Sequence, residues 1–214
     1  MIGCHRALLA AALCIFFGST AAAAEHREIG GNKQLFIDED MIQSLDGVRF
    51  TLNPARRAER VLHATDPWAP AGLGWVTVIQ EGDGFRMWYE VWTYVEEIPG
   101  HWMSRLCYAV SKDGIRWTKP RLGQFEFEGS KDNNIIALGH RGYVHGSYVF
   151  IDPHAKSPAE KCKMIFGDFY RVASRGVYPT ISGAVSPDGI HWKSVDTPDG
   201  IIMPGDTDTQ HAAF

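Results

Sequence analysis

Cysteine is scarce in this sequence, and its scarcity limits the class of protein. Only Cys107 and Cys162 lie outside the first 24 residues, which hold the other two of the four cysteines. Small disulfide-dependent domains carry more cysteines at closer spacing, so we expect two separate buried thiols rather than one bridge. Cysteine and histidine nowhere show the spacing of a metal site, so we predict no metal and no other cofactor.

A strong charge of one sign is also missing. Removing the first 24 residues takes away Arg6 and no acid, which leaves 20 basic and 25 acidic residues and a net charge of -5. The basic residues gather only at Arg56, Arg57 and Arg60, which we interpret as a solvated loop. Because nucleic-acid binding needs a basic face, we expect no nucleic-acid partner.

Long apolar runs are absent after the first segment, and that segment has the three parts of an export signal. Arg6 gives a positive start, residues 7–17 are apolar, and residues 22–24 form a small-residue cleavage site. The apolar part is shorter than the roughly 20 residues of a membrane helix. Leu13 precedes Cys14, where a lipoprotein signal has a small residue. We therefore expect residues 1–24 to be a signal peptide and the product to be periplasmic or secreted, without a membrane anchor.

One seven-residue phrase occurs twice: residues 111–117 (SKDGIRW) return as residues 186–192 (SPDGIHW), 75 positions later. Short apolar runs bounded by Gly, Pro, Asp and Asn surround both copies, and no window after the signal sustains a helical period. The predicted strands are 75–80, 85–92, 105–111 and 116–118 in the first unit, and 147–151, 163–170, 181–186 and 191–195 in the second. Four-stranded units copied along a chain indicate an all-β protein, a β-propeller.

The copies divide the chain after the signal into parts of a propeller domain, residues 25–214. These parts are a leading strand at about 34–45, a first blade at about 74–120, a second blade at about 146–196, and the start of a third at about 206–214. This amounts to roughly two and a half blades, whereas propellers have about four to eight. We therefore interpret the chain as the N-terminal part of a longer propeller, in which the remaining blades or another protomer close the ring.

The repeated phrase itself has a structural interpretation. Asp113 and Asp188 are placed to accept hydrogen bonds from amides of their own turns, and the glycine that follows each accepts a positive φ angle. The Ile and Trp of each phrase are expected to pack against sheets. An acid with such a duty is a poor catalyst, so we exclude both aspartates from the candidate site.

Several motifs together resemble a group of exported bacterial propeller proteins related to glycoside hydrolase families 32 and 43. They are residues 35–38 (LFID), 44–48 (SLDGV), 66–68 (DPW), 85–89 (FRMWY), the two DGIxW turns and 129–135 (GSKDNNI). The resemblance covers nearly all of the chain after the signal. It implies five blades around a funnel, where acidic residues near the starts of the innermost strands act on a glycosidic bond. One carboxyl stays charged as base or nucleophile, and the other is held protonated as the acid.

The resemblance also implies site residues. Asp66, His145 and Asp206 or Asp208 match those strand starts, with Asp66 and Asp206 as the expected catalytic pair and His145 and Asp208 as binding residues. From the residues themselves we add two substrate-binding candidates, Trp68 as an aromatic platform and Arg141 as a partner for a hydroxyl or an anionic sugar. Structural alternatives remain for most of them: Asp66 as the opener of an Asp-Pro turn, Trp68 as a filler between blades, His145 as a packed histidine, and Asp206 with Asp208 as parts of a polar loop.

The leading functional hypothesis is an exported, glycoside-hydrolase-like propeller that recognises or cleaves an extracellular polysaccharide. The alternative is a carbohydrate-binding or surface-assembly propeller with no catalytic pair. The chain departs from the hydrolase pattern at two positions, and the missing middle acid favours that alternative. His145 stands where the families have their middle aspartate, and Asp206 or Asp208 stands where they usually have a glutamate acid.

Overall fold

The computed structural model divides the chain into two units, residues 1–57 and residues 58–214. Both β-sheets belong to the second unit. The described residues are 28–31, 34–35, 37–94, 102–137, 144–172, 176–195, 197, 200–205 and 210–213, so the predicted signal peptide lies outside them. Within these ranges no helix has the length and apolarity needed to cross a membrane.

The first sheet is antiparallel. Its strands are β1 (Leu73–Glu81), β2 (Gly84–Tyr94), β3 (Trp102–Ser111), β4 (Trp117–Thr118) and β5 (Ile135–Ala137). The order is β1-β2-β3-β4, and β5 pairs with a separate stretch of β3. A tight turn joins β1 to β2, and Gly82 within it has a φ of 59°, a conformation that glycine adopts without a steric penalty.

The second sheet has the same arrangement. Its strands are β6 (His145–Ile151), β7 (Cys162–Val172), β8 (Gly176–Ser186), β9 (Lys193–Ser194) and β10 (Ile201–Pro204). Strands β6, β7 and β8 pair in sequence, and both β9 and β10 pair with β8. A 3-10 helix, Pro158–Glu160, lies between β6 and β7 and is capped by the side chain of Ser157.

The all-β class is confirmed, and each of the eight predicted strands is present. Strands β5 and β10 were not predicted.

The leading strand expected at about 34–45 is wrong for the described residues, because residues 37–41 form a bend and a turn. Leu35 and Ile37 are 80% and 83% exposed, so neither side chain is packed against an apolar surface. A strand is stabilised by side-chain pairs with a neighbouring strand, and these two side chains form none with any described strand. The two sheets of the described residues close no ring, and the propeller stays a prediction.

Side chains alternate across β2, and this alternation builds two apolar clusters. Trp88 points into an inter-sheet core, which also contains Leu106 from β3 and Met164 from β7. Met87 and Tyr89 point the other way, into an outer core on the opposite face of the first sheet. The outer core is covered by partly buried side chains from outside the sheet and from β4: Leu62, Trp68, Trp117, Phe125 and Phe127.

The first copy of the repeated phrase is a turn stabilised by its own side chains. Ser111 Oγ accepts from the amides of Asp113 at 3.2 Å and Gly114 at 2.9 Å. Asp113 Oδ1 accepts from the amides of Ile115 at 2.9 Å and Arg116 at 2.7 Å. Hydrogen bonds from these two amides hold the pKa of Asp113 well below its ordinary value, so the carboxylate is charged and structural, as predicted.

The second copy makes the same bonds. Ser186 Oγ accepts from the amides of Asp188 and Gly189, and Asp188 Oδ1 accepts from those of Ile190 and His191. Gly189 has a φ of 73°, equal to that of the glycine in the first turn. The structural interpretation of both aspartates is therefore confirmed.

The second turn also joins the two sheets. Trp88 Nε1 donates to Gly189 O at 2.8 Å, and Arg86 Nη2 donates to Asp188 O. The Arg86 guanidinium lies 4.8 Å from the centre of the Trp88 ring, at cation-π distance. A side-chain carbon on Gly189 would lie 2.8 Å from both Arg86 and Trp88, so the sheets approach closely only because this residue is glycine.

The tryptophan that ends each phrase has a different hydrogen-bond partner in the two turns. In the first turn, Trp117 Nε1 donates to Gly114 O at 3.0 Å. In the second, Gly189 O accepts from Trp88 instead, and Trp192 Nε1 makes no hydrogen bond with any described residue. The same carbonyl thus accepts from its own turn in one copy and from the neighbouring sheet in the other.

Candidate functional site

The first strands of the two sheets, β1 and β6, begin side by side, and each begins with an irregularity. The pairing register shifts between Gly74 and Thr77 in β1 and between His145 and Tyr148 in β6. Trp75 lies inside the first irregularity with a φ of 44°. This left-handed conformation is uncommon outside glycine and stores strain, which clusters at functional sites. The strained backbone at the start of β1, beside the start of β6, therefore marks a candidate site.

Trp75 forms an aromatic group with His145 and Trp92. Its ring centre lies 5.7 Å from that of His145 and 6.4 Å from that of Trp92, in edge-to-face geometry. Gly74 makes room for this group, because a side-chain carbon there would lie 2.4 Å from the Trp92 ring. The buried Trp75 Nε1 donates to no described residue, so an indole donor is left for another partner.

Glu90 is a buried carboxyl in this region. It comes from β2, points toward the inter-sheet side, and is 0% exposed. Its Oε1 accepts from the amide of Ser147 at 2.6 Å, while Oε2 makes no hydrogen bond with a described residue. Burial raises the pKa of Glu90 to about 7, although the bonds from residues of β6 oppose the rise. Near neutral pH this carboxyl is therefore able both to hold and to release a proton.

The segment 210–213 completes the group. His211 donates its amide to Gly146 O at 2.8 Å, and Gln210 Nε2 donates to Ser147 O at 3.1 Å. Burial and the neighbouring His145 together lower the pKa of His211 below its ordinary value. We call Trp75, Glu90, His145, Ser147 and His211 the inner-strand site. It combines a proton donor, two imidazoles and an indole.

His145 is the predicted site residue that the structure places here. Asp66 lies elsewhere: its carboxylate pairs with Lys119 Nζ, and it acts electrostatically on Tyr89 and Cys107 of the outer core. Tyr89 and Cys107 lie on the outer-core face of the first sheet, whereas Glu90 points from the inter-sheet face, where His145 also lies. The first sheet therefore lies between Asp66 and His145. The ion pair with Lys119 favours the structural interpretation of Asp66.

Trp68 also lies against the outer core, where its Nε1 donates to Asn134 Oδ1 at 3.2 Å. It is therefore on the face of Asp66 and away from the inner-strand site. The other predicted site residues lie outside the described residues: Arg141, Asp206 and Asp208.

Sequence reasoning missed Trp75 and Glu90. Glu90 is the acid within the apolar stretch 87–92 (MWYEVW), and a charged residue in a run of buried strand residues needs a partner or a function. Nothing in the sequence around Trp75 indicates a function. Its left-handed backbone belongs to the irregularity of β1, which is visible only in the structure. Among the described residues no group of three His, Cys, Asp or Glu side chains is arranged to hold a metal ion.

The thiols are as predicted. Cys107 and Cys162 are buried and free, each in a different sheet. Burial raises the pKa of both thiols above the ordinary value, so neither is a candidate nucleophile.

No protein-family model matches the chain. It is 28% identical over 148 residues, 67% of its length, to an uncharacterized protein of Mycobacterium tuberculosis (strain ATCC 25618 / H37Rv), and it spans 41% of that protein. It also aligns with the structure of a glycosyl hydrolase from Bacteroides ovatus at a TM-score of 0.41 and 16% identity. That alignment covers 62% of this chain and 35% of the hydrolase. At this TM-score the likeness carries no argument about fold or activity.

Proposed function

We propose that the protein binds a polysaccharide at the inner-strand site and hydrolyses it, with Glu90 as the proton donor. One observation supports this most directly: a fully buried carboxyl has one unpaired oxygen and a pKa raised to about 7. Glycoside hydrolysis needs such an acid, held protonated near the pH of catalysis. Trp75, with its edge-to-face neighbours, supplies an aromatic surface for the apolar face of a sugar.

The proposed reaction adds water across the glycosidic bond. Glu90 gives its proton to the bridging oxygen as the bond from that oxygen to the anomeric carbon breaks. A second carboxylate takes a proton from the water that attacks this carbon. Asp206 and Asp208 are our candidates for that base, since they precede Gln210 by four and two positions in the sequence. Asp66 is replaced by Glu90 as the first member of the catalytic pair.

Export and ring closure belong to the same proposal. The apolar and small-residue pattern of residues 1–24 supports a periplasmic or secreted location. The identical strand order of the two sheets supports a propeller, which further blades or another protomer would close.

The test compares Glu90→Gln with Glu126→Gln. Glutamine keeps the shape and the acceptor for the Ser147 amide but has no acidic proton, and Glu126 is an exposed acid that serves as the control. Release of reducing ends is followed on xylan, mannan, inulin and pectin. We expect the Glu90 variant to lose at least about 100-fold in kcat on the polysaccharide that the unmodified protein cleaves. Equal rates in both variants would contradict the assignment.

One observation favours a second candidate, a carbohydrate-binding protein without catalysis. The bond from the Ser147 amide to Glu90 links the two sheets, so this carboxyl has a structural use even without a substrate. In that case the unmodified protein releases no reducing ends, while Trp75→Ala still weakens binding to an immobilised polysaccharide. Binding without turnover, lost in Trp75→Ala, selects this candidate.

A further inference from the structure

A hollow lies on the outer-core side of the first sheet, away from Glu90. Its volume is about 250 Å³. Two aromatic rings line it, those of Trp68 and Phe127, with centres 6.3 Å apart in edge-to-face geometry. Polar side chains complete the lining: Glu128, Ser130, Asp132 and Asn133. Aromatic walls with a few convergent polar groups are the usual composition of a small-molecule site.

The tryptophan wall is held rigidly. Trp68 Nε1 donates to Asn134 Oδ1, and Asn134 Nδ2 donates at 2.7 Å both to Tyr89 OH and to Tyr108 O. Asn134 and Tyr89 are fully buried. A buried, satisfied network fixes the indole before any ligand arrives, which lowers the entropic cost of binding.

The part of the lining next to Phe127 carries a residue in an unfavourable conformation. Phe127 and Ser130 exchange two backbone hydrogen bonds, at 2.8 and 3.0 Å, around the two-residue turn of Glu128 and Gly129. Both turn residues have positive φ, 49° and 80°. Such turns favour Asn-Gly or Gly-Gly, so a glutamate in the first position costs stability. Glu128 nevertheless lines the hollow, and its side chain is exposed to a ligand there.

The charges of the pocket select the kind of ligand. Glu128 makes no ion pair with a described residue, whereas Asp132 pairs with Arg121. Carboxylate oxygens accept hydrogen bonds from hydroxyl groups, and they repel anions. A neutral sugar unit, with its apolar face on Trp68 and its hydroxyls toward Glu128, fits both properties.

We propose that this hollow is a second carbohydrate site, which holds a neutral sugar unit without cleaving it. The ligand class rests on the proposed function. The site lies on the other face of the first sheet from Glu90, so it binds a polysaccharide at a distance from the bond that is cleaved. Multiple contacts along one polymer raise its overall affinity.

The experiment measures oligosaccharide binding by calorimetry, in a Glu90→Gln background so that no ligand is hydrolysed. The probes are xylohexaose, mannohexaose and cellohexaose, with hexagalacturonate as the acidic comparison. Two further changes are tested in this background, Glu128→Gln and Glu128→Gly, and Glu126→Gln is the control. We expect both Glu128 variants to weaken binding of a neutral hexasaccharide by at least about tenfold, and the control to leave it unchanged.

Stability separates loss of the site from loss of the fold. Glycine relieves the left-handed backbone at this position, so Glu128→Gly is expected to raise Tm while it weakens binding. Unchanged affinity in both Glu128 variants overturns the second site, as does tighter binding of hexagalacturonate or no binding of any neutral probe. Absence of hydrolysis by the unmodified protein, with Glu128-dependent binding retained, contradicts only the proposed catalysis.

Discussion

The close approach of the two sheets at Gly189 gives a prediction with an internal control. Gly114 and Gly189 occupy the same place in the two turns, and each has a φ of 73°. An added side-chain carbon on Gly114 would lie no closer than 3.7 Å to Phe85, an ordinary contact. On Gly189 it would lie 2.8 Å from both Arg86 and Trp88. Alanine therefore strains the backbone equally in both turns but collides with the neighbouring sheet in only one.

The magnitudes follow from these contacts. A left-handed alanine costs about 1–2 kcal/mol, so we expect Gly114→Ala to lower the free energy of unfolding by that amount. Gly189→Ala adds overpacking of about 1–3 kcal/mol. It also weakens the hydrogen bond from Trp88 Nε1, worth about 1 kcal/mol. The second variant is expected to be less stable than the first by about 2–4 kcal/mol.

Urea unfolding followed by tryptophan fluorescence measures both variants against the unmodified protein. The slope of the unfolding free energy with urea is expected to stay constant, because the surface exposed on unfolding is the same. If the two variants lose equal stability, the second turn does not join the sheets as described.

Three further predictions concern single side chains. The pKa of Glu90 is raised from 4.5 to about 7, so the folded state holds the proton more tightly than the unfolded state. The free energy of unfolding should therefore fall by about 3 kcal/mol as pH rises from 4.5 through 7, and urea titrations of Glu90→Gln should lack that fall. Asp66→Asn should lower Tm through loss of the Lys119 pair and leave polysaccharide turnover unchanged; reduced turnover at full stability would restore Asp66 as catalytic. Cys107 should resist a thiol reagent until the protein unfolds, as mass spectrometry of labelled peptides would show.

The strands and turns were predictable because their causes are local. Asp113 specifies its turn through bonds from amides two and three positions later, and alternating apolar residues specify the strands on either side. Strand β5 escaped prediction because its three residues carry too little pattern. It is defined by pairing with β3, which lies more than 20 positions earlier in the chain.

The candidate site was only partly predictable, because it is built by contacts distant in sequence. Glu90 and Ser147 are 57 positions apart, and nothing near either residue indicates that they meet. The resemblance selected His145, which lies at the start of β6 beside Trp75. It also selected Asp66, which lies beside the outer core and pairs with Lys119. The face of a sheet on which a residue lies depends on how the sheet packs. The spacing of residues along the chain does not indicate that face.

The exchange of indole partners at the glycine carbonyl bears on how such a chain gains length. In the first turn the glycine carbonyl accepts from the tryptophan of its own turn. In the second turn the equivalent carbonyl accepts from Trp88 of the other sheet, and this bond joins the two sheets. The turn has the same backbone conformation with either tryptophan as the donor, so a further sheet can pack against such a turn without a change in the turn sequence. Growth by whole sheets then requires a suitable donor on the preceding sheet, as Trp88 supplies here.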